Sequence, residues 1–332
     1  DVPMLPASLY REFTVNGNRS NYEGLFFKRR DMALTLALAE AYEKKGRFSE
    51  KLMDAVWAIM EESTWMLPAH LYNSPYGGDM TLGPVYNSEK RHGLALFSAT
   101  TGATLSVIYA YAKDALDAIT PIITEKMKYM IRERLVLPFV ECTFWWTGDS
   151  GQRVNNWNPW IISNVLTVAA FTVKDTTDRA VVIRRAHPVL DNFTSVYHPA
   201  GGCDEGPSYW NAAGGALFNA CLVLYDMTGG YINVFDDPLM KNMGEYAVKV
   251  IITKNRALNF ADSPSKVRPD PMLIYQWGEA CGSDMMKEYA MWSLDGQLSG
   301  VIADTSMPYR WMGFLCSPRL PKAEFVPPKH LY

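Results

Sequence analysis

The chain has 332 residues, which at ~150 residues per domain suggests about two domains, although folds with one large core often exceed that size. Hydrophobic residues make up 48% of it and charged residues 20%, so disordered and collagen-like chains are excluded. The 32 basic and 35 acidic residues leave a net charge of −3, without the basic stripe that nucleic acid requires. The five cysteines stand singly, outside the Cys/His spacings typical of zinc, so neither a metal nor another cofactor is expected.

Two helices are predicted near the N-terminus. The first covers Asp31–Lys45 and ends at Gly46, and the second begins at Ser49 and continues to Glu62. The segment that follows is broken by a proline and carries His70. A lone histidine is more often structural than functional, so both interpretations of His70 stay open.

Three stretches of 20 residues contain no charged side chain: Gly93–Ala112, Val154–Val173 and Gly206–Tyr225. Their length would suit a membrane span, but each contains Asn, Ser or Thr residues that would be costly in hydrocarbon. No membrane insertion is therefore expected. The remaining interpretation is a helix that is apolar on every side because it is buried on every side.

A charged amphipathic helix follows each uncharged stretch. These helices are predicted at Thr120–Leu137, Asp178–Phe193 and Asp236–Ile252, and His187-Pro188 is expected to kink or end the second. Helices in an inner ring are contacted on all sides and those in an outer ring are not, so the alternation favours an all-α fold, an incomplete (α/α) toroid. A plain helical bundle is the alternative.

This interpretation has two consequences that coordinates can test. Helices that begin near residues 93, 156 and 208 should be more buried than those that begin near 120, 178 and 237. We also expect a single toroid domain over residues 1–316, followed by an irregular tail over residues 317–332.

Two loop segments combine polar and aromatic residues most densely, and each leads into an uncharged helix. They are Thr143–Trp160 and Tyr197–Gly215. In a toroid such entrances meet at the mouth of the inner ring, so a site is expected there. The alternative for any one of these residues is simple helix capping or a glycine turn.

Five parts of the chain carry a resemblance to a known family. They read WMLPAH, LFSATTGATLSVIYAY, NNWNPWIISNVL, GGCDEGPSYWNAAGGALFNACLVLYDMTGG and NFADSPSKV. Together they resemble the heparinase II/III-like family of polysaccharide lyases, from about residue 25 to about residue 300 and in the same order. The resemblance implies the toroid half of an enzyme that usually continues into an antiparallel β-sandwich domain of the same full-length chain.

The resemblance also implies a reaction, β-elimination on a uronic acid within an acidic polysaccharide or oligosaccharide. The proton at C5 can leave only when donors offset the charge of the adjacent carboxylate. In such lyases an Asn or a His neutralises this carboxylate, and a Tyr protonates the leaving oxygen and can also abstract the proton. By this resemblance Tyr209 is the acid and base, and Asn155 or Asn156 is the neutraliser.

The remaining candidates lie at the same entrances. Glu205 is expected to hold the tyrosine or a sugar hydroxyl. An ordinary tyrosine with a pKa near ~10 is a poor base, so a cation such as Arg153 or a sandwich histidine should assist it. The residues expected to bind substrate are His70, Trp157, Trp210, Arg153, Asp204 and His198. We expect Asn155, Asn156, Tyr209, Glu205 and His70 to line one concave mouth, with Trp157 or Trp210 at its wall.

Two other functions remain open from the sequence. A toroidal glycoside hydrolase acting on unsaturated uronides needs paired carboxylates, which Asp204 with Asp149 or Asp262 could supply. A non-catalytic glycan-binding module would use Trp145, Trp146, Trp157 and Trp210 as stacking surfaces. The first residues lack the pattern of a signal peptide, and the compartment stays open between secreted, periplasmic and cytoplasmic in a bacterium.

Overall fold

The computed structural model describes residues 1–73, 91–267, 269–294 and 308. This part of the chain is predominantly helical, and a two-stranded antiparallel hairpin is its sheet structure. The helices are α1 (Ala7–Asn16), α2 (Ser20–Glu43), α3 (Ser49–Met60), α4 (Leu96–Asp117), α5 (Ile122–Ile131), α6 (Leu137–Glu141), α7 (Trp157–Phe171), α8 (Thr176–Thr194), α9 (Gly214–Met227), α10 (Pro238–Lys249), α11 (Pro271–Cys281) and α12 (Asp284–Leu294). The strands are β1 (Ile251–Thr253) and β2 (Arg256–Ala257). An all-α fold class was expected, and the described residues agree with it.

The expected contrast in burial between uncharged and charged helices is confirmed. Every residue of α4 from Ser98 to Tyr109 is buried, and in α7 residues 161–169 are buried without a break. In α9 the buried run covers residues 214–221. By contrast α5, α8 and α10 bury residues only at helical spacing, along one face.

Two predicted helix starts were wrong, those of α2 and α9, whereas the predicted end of α8 at Phe193 is one residue from the observed end. Helix α2 begins at Ser20 rather than Asp31, because the Asn18 side chain accepts from the Asn21 N–H at 3.1 Å and so caps the chain earlier. Helix α9 begins at Gly214 rather than near residue 208, because a 3₁₀ turn, Pro207–Tyr209, precedes it. Helix α8 continues past Pro188 to Thr194. Pro188 is exposed, so water can reach the carbonyl that the missing N–H leaves unbonded.

The chain divides into two compact units. The first comprises residues 1–144 together with 164–185, and the second comprises residues 145–163 together with the chain from residue 186 onward. A single domain over residues 1–316 stays a prediction, and the expected tail over residues 317–332 lies outside the described residues.

A buried ion cluster holds the first unit together. The Glu62 carboxylate is 8% exposed and accepts from the guanidinium groups of both Arg29 and Arg30, at 2.6–3.0 Å. Arg134 donates to the backbone carbonyl of Glu62 at 2.7 Å and lies over the Trp65 ring. Arg134 belongs to a π turn, Arg132–Val136, between α5 and α6. Such a cluster is stable only because nearly every charge has a partner.

In the second unit, Asn158 connects three pieces of backbone. This side chain of α7 is fully buried, and its Nδ2 donates to the carbonyls of Trp146 at 3.1 Å and Val189 at 2.8 Å. The 3₁₀ turn Trp145–Thr147 and helix α8 are thereby held against the first turn of α7. This arrangement fixes the loop that leads into α7, where the predicted site residues lie.

Across the described residues, none of the helices combines the length and the hydropathy that crossing a bilayer requires.

Replacing Asn158 tests the importance of these two bonds. Asn158→Ala removes both of these buried hydrogen bonds to backbone carbonyl groups, so we expect the free energy of unfolding to fall by about 2–4 kcal/mol. Urea denaturation followed by tryptophan fluorescence measures this change. Asn255→Ala, at an exposed turn, is the control and should change the free energy by less than about 0.5 kcal/mol. Equal effects of the two substitutions would contradict the role given to Asn158.

Candidate functional site

A cavity of about 560 Å³ lies within the second unit, and both of the predicted segments contribute to its lining. Residues 153–156 before α7 form one part of the lining. Phe193 near the end of α8 and residues 196–199 after it form a second part, and Gly202, Asp204 and Glu205 form a third. Six of the predicted site residues line this cavity: Arg153, Asn155, Asn156, His198, Asp204 and Glu205. The site was predicted from two loops distant in sequence, and the structure brings these six residues together.

A hydrogen bond between Asn156 and Glu205 connects the two loops. Asn156 is 8% exposed, and its Nδ2 donates to Glu205 Oε2 at 2.6 Å. The pKa of the Glu205 carboxyl is raised above its usual range, first because burial disfavours the charged form, and then because Asp204 and Asp262 place negative charge nearby. The bond from Asn156 acts in the opposite direction and lowers this pKa.

Asn155 plays a different local role from Asn156. Its side chain is exposed, and its Oδ1 accepts from the Trp157 N–H at 3.1 Å, which caps the first turn of α7. Because the oxygen is bound to the helix end, the amide N–H groups are the part of Asn155 left to meet a ligand. In Asn156, one amide N–H is already bound to Glu205.

Arg153 and Asp204 form an ion pair at the cavity. The guanidinium donates to the Asp204 carboxylate, and the two side chains are 73% and 68% exposed. Among the described residues that line this cavity, Arg153 is the one arginine. A guanidinium can bind a ligand carboxylate through two parallel bonds, so this position suits an acidic ligand.

The tautomer of His198 follows from its backbone contact. The Ala200 N–H donates to His198 Nδ1 at 3.1 Å, so the neutral ring carries its proton on Nε2. His198 can therefore act as a hydrogen-bond donor at the cavity.

Tyr209 ends the 3₁₀ turn Pro207–Tyr209, is 37% exposed and is not among the residues that line the cavity. Close packing fixes the start of this turn. Gly206 has φ +93°, and a Cβ at this position would lie 2.5 Å from the Phe260 carbonyl oxygen. The turn is held further by the Ser208 N–H, which donates to Ser263 Oγ at 3.1 Å.

The two candidate tryptophans differ in what they can offer to a sugar. Trp157 is 8% exposed and packs against Trp145 with ring centroids 5.2 Å apart, and it is Trp145 that lines the cavity. Trp210 is fully buried, donates its indole N–H to the Met243 carbonyl at 2.7 Å and stacks on Trp277. Trp157 or Trp210 was expected at the wall of the site. Trp210 has no exposed ring face, and neither tryptophan is among the described residues that line the cavity.

His70 belongs to the first unit and is 6% exposed. Its ring stacks on Phe97 at a centroid distance of 5.6 Å and an interplanar angle of 11°. Burial, with a smaller effect of Arg19, lowers the pKa of His70 to about 4. These features favour the structural one of the two interpretations that the sequence left open.

The cavity also contains residues that were not chosen as site residues from the sequence. The sequence indicates Trp145 only as a stacking surface of a glycan-binding module, and Tyr197 only as the first residue of the segment Tyr197–Gly215. The Tyr197 ring lines the cavity, and burial raises the pKa of its hydroxyl above the usual range, with the nearby Cys203 adding to the effect. The signal available for Tyr197 was its position at the start of the second polar-aromatic segment.

Within residues 1–73, 91–267 and 269–294, His, Cys, Asp and Glu side chains form no group of three or more that could hold a metal ion. The cavity is accordingly described by its amide, carboxylate and guanidinium groups.

No model of a known protein family matches the chain, and a search of the curated proteins returns no significant match. The likeness to polysaccharide lyases therefore depends on the five segments quoted from the sequence.

The charges around Glu205 can be tested by titration. Asp204→Asn removes a neighbouring negative charge and should lower the pKa of Glu205, whereas Asn156→Ala removes a donor and should raise it. Carbon-detected NMR of protein labelled at the glutamate carboxyl carbons measures both shifts. Asp191→Asn, on the exposed surface of α8, is the control and should leave the Glu205 titration unchanged. Shifts of the same sign in the first two variants would contradict this account.

The burial of His70 predicts sensitivity to acid. Its folded-state pKa of about 4 lies below the ordinary value of 6.5, so its contribution to stability is complete above pH 6.5 and is lost as the pH falls toward 4. His70→Phe keeps a ring against Phe97 but cannot be protonated. The loss of unfolding free energy between pH 7 and pH 4.5 should therefore be smaller in this variant, by up to about 3 kcal/mol.

Denaturant titrations at the two pH values measure the difference. His187→Gln, at an exposed position of α8, serves as the control and should retain the acid sensitivity of the unmodified protein. Identical pH dependence in the His70→Phe variant would show that another group is responsible.

Proposed function

We propose that the protein is a polysaccharide lyase that cleaves uronic-acid-containing glycans by β-elimination. The observation that carries this proposal is a cavity that brings together Asn155, Asn156, Asp204 and Glu205, which belong to two of the five segments that resemble the lyase family. Arg153, two residues before the first of these segments, lines the same cavity. The same proposal includes an incomplete (α/α) toroid as the fold. The contrast between fully buried and one-sided helices supports inner and outer rings.

The chemistry of this cavity suits a uronate. A proton at C5 becomes acidic when the adjacent carboxylate is neutralised by donors, because the charge that develops on it in the transition state is then stabilised. Asn155 and Asn156 supply amide N–H groups, and Arg153 supplies a positive charge. In this proposal Asn155 meets the carboxylate with the amide that its capping oxygen leaves available, and Asn156 adds its second N–H.

Tyr209 is proposed as the acid that protonates the leaving oxygen, and as the base if a nearby cation assists it. Its partial exposure supports access to solvent and substrate. Glu205, bound to Asn156, holds the amide in place, and His198 can donate from Nε2 to a sugar hydroxyl. Trp145, backed by Trp157, offers the apolar surface of a sugar a ring to pack on.

A glycoside hydrolase is the second candidate, and one observation favours it. Asp204 and Glu205 are adjacent at the cavity, Asp262 acts on the same group, and the pKa of Glu205 is raised, as a general acid requires. Such an enzyme acting on unsaturated uronides would remove the ultraviolet absorbance of the 4,5-double bond, whereas a lyase would create it.

Tyrosine 209 provides the sharpest test of the lyase proposal. Tyr209→Phe removes one hydroxyl and keeps the ring, so kcat should fall by about 10²–10⁴-fold while the fold persists. Product absorbance is followed with heparan-derived and alginate-derived oligosaccharides, using the full-length protein. Eliminase activity that is unchanged in Tyr209→Phe would end the proposal.

Two asparagine variants show which amide neutralises the substrate carboxylate. Asn155→Ala and Asn156→Ala should each lower turnover, and the larger loss identifies the amide that meets the carboxylate. A hydrolase would instead tolerate Tyr209→Phe and lose activity in Glu205→Gln. A binding module would show unchanged glycan affinity in Tyr209→Phe, with affinity dependent on Trp145.

A further inference from the structure

We propose that Asp204 is a built-in competitor for the substrate carboxylate, and that it occupies Arg153 until an acidic sugar displaces it. This inference rests on the proposed function, because it requires a uronate as ligand. It assigns to Asp204 a role distinct from holding a sugar hydroxyl. The exchange of one carboxylate for another on Arg153 would then set how tightly acidic sugars bind.

The position of the ion pair supports such an exchange. Arg153 and Asp204 both line the cavity and come from different loops, so their contact connects two parts of its lining. Both side chains are more than two-thirds exposed. Ion pairs of such exposure are weak, because water and ions compete for both partners. A carboxylate from a ligand can therefore take the place of Asp204 with little loss.

The charges around the cavity lead the sugar carboxylate and Asp204 to compete for Arg153. An acidic sugar that enters the cavity meets the carboxylates of Asp204 and Glu205, and Arg153 is the arginine that can offset them. When the sugar carboxylate takes the guanidinium, the Asp204 side chain can turn into solvent. A neutral sugar has no group that displaces Asp204, so the pair stays closed.

The exchange also has a kinetic consequence. An arginine with no internal partner would hold the carboxylate equally well in the substrate, the transition state and the product. Binding that is equal in substrate and transition state lowers KM without raising kcat. With Asp204 available to take the guanidinium back, the product carboxylate is released more easily. Asp204 would thus weaken binding of the ground state in favour of turnover.

The test is a double-mutant cycle on Arg153 and Asp204, with an alginate-derived or a heparan-derived tetrasaccharide as the probe, whichever the unmodified protein cleaves. Asp204→Asn should lower KM about 2–5-fold, the range expected from freeing one exposed ionic contact, and should not raise kcat. Arg153→Gln should raise KM. In the Arg153→Gln background, Asp204→Asn should have no further effect on KM, because no guanidinium is left to release.

The control is Asp284→Asn, which makes the same chemical change in an exposed ion pair of α12 and should leave KM unchanged. A KM that falls equally with and without Arg153 would mean simple repulsion by Asp204 and would overturn the inference. An unchanged KM in Asp204→Asn, with normal elimination by the unmodified protein, would also overturn it while leaving the proposed function intact. Absence of elimination by the unmodified protein on both probes would overturn the proposed function and the inference together.

Discussion

Residues 98–109 of α4, 161–169 of α7 and 214–221 of α9 are surrounded by protein, and this constraint determines much of what else is possible in the molecule. A helix with no face in water cannot carry a charge without a partner, so these segments are uncharged. Several of the polar groups that they carry are satisfied internally, as when Ser106 Oγ donates to the Gly102 carbonyl at 2.9 Å. The Asn158 amide donates to the carbonyls of Trp146 and Val189, and so holds the 3₁₀ turn Trp145–Thr147 and α8 in place. Burial thus explains why these helical segments lack charged residues. Some of the polar side chains that they contain connect neighbouring parts of the backbone.

The two units differ in how their charged side chains are paired and how far they are buried. In the first, Glu62 neutralises Arg29 and Arg30, and all three groups are nearly inaccessible, which suits a fixed framework. In the second, the charges at the cavity are either exposed, as in the pair of Arg153 with Asp204, or weakened, as in Glu205. Exposed pairs exchange partners readily and a carboxyl with a raised pKa can carry a proton. The second arrangement is therefore the one suited to binding and chemistry.

Two carboxylates, those of Asp204 and Glu205, line the cavity and would repel the acidic glycans on which the protein is proposed to act. The groups bound to each carboxylate reduce this repulsion. Asp204 is paired with a guanidinium, and Glu205 accepts an amide bond while burial favours its neutral form. The net charge at the cavity then depends on whether Asp204 or the carboxylate of a bound sugar is paired with Arg153. Selectivity for acidic sugars can arise from this exchange rather than from a surplus of positive charge.

The sequence by itself determined which helices are buried and which segments lead into the cavity. The absence of charge over 20 residues has few physical explanations once polar side chains exclude a membrane span, and six of the predicted site residues do line one cavity. Only the tertiary structure decided the role of each side chain. Trp210 and Trp157 look alike in the sequence, but the partners that bury Trp210, Met243 and Trp277, lie 33 and 67 residues further along the chain. The bond between Asn156 and Glu205 likewise joins residues 49 positions apart. Local patterns report whether a position meets water, whereas the partner of a polar or aromatic group is set by contacts between distant segments.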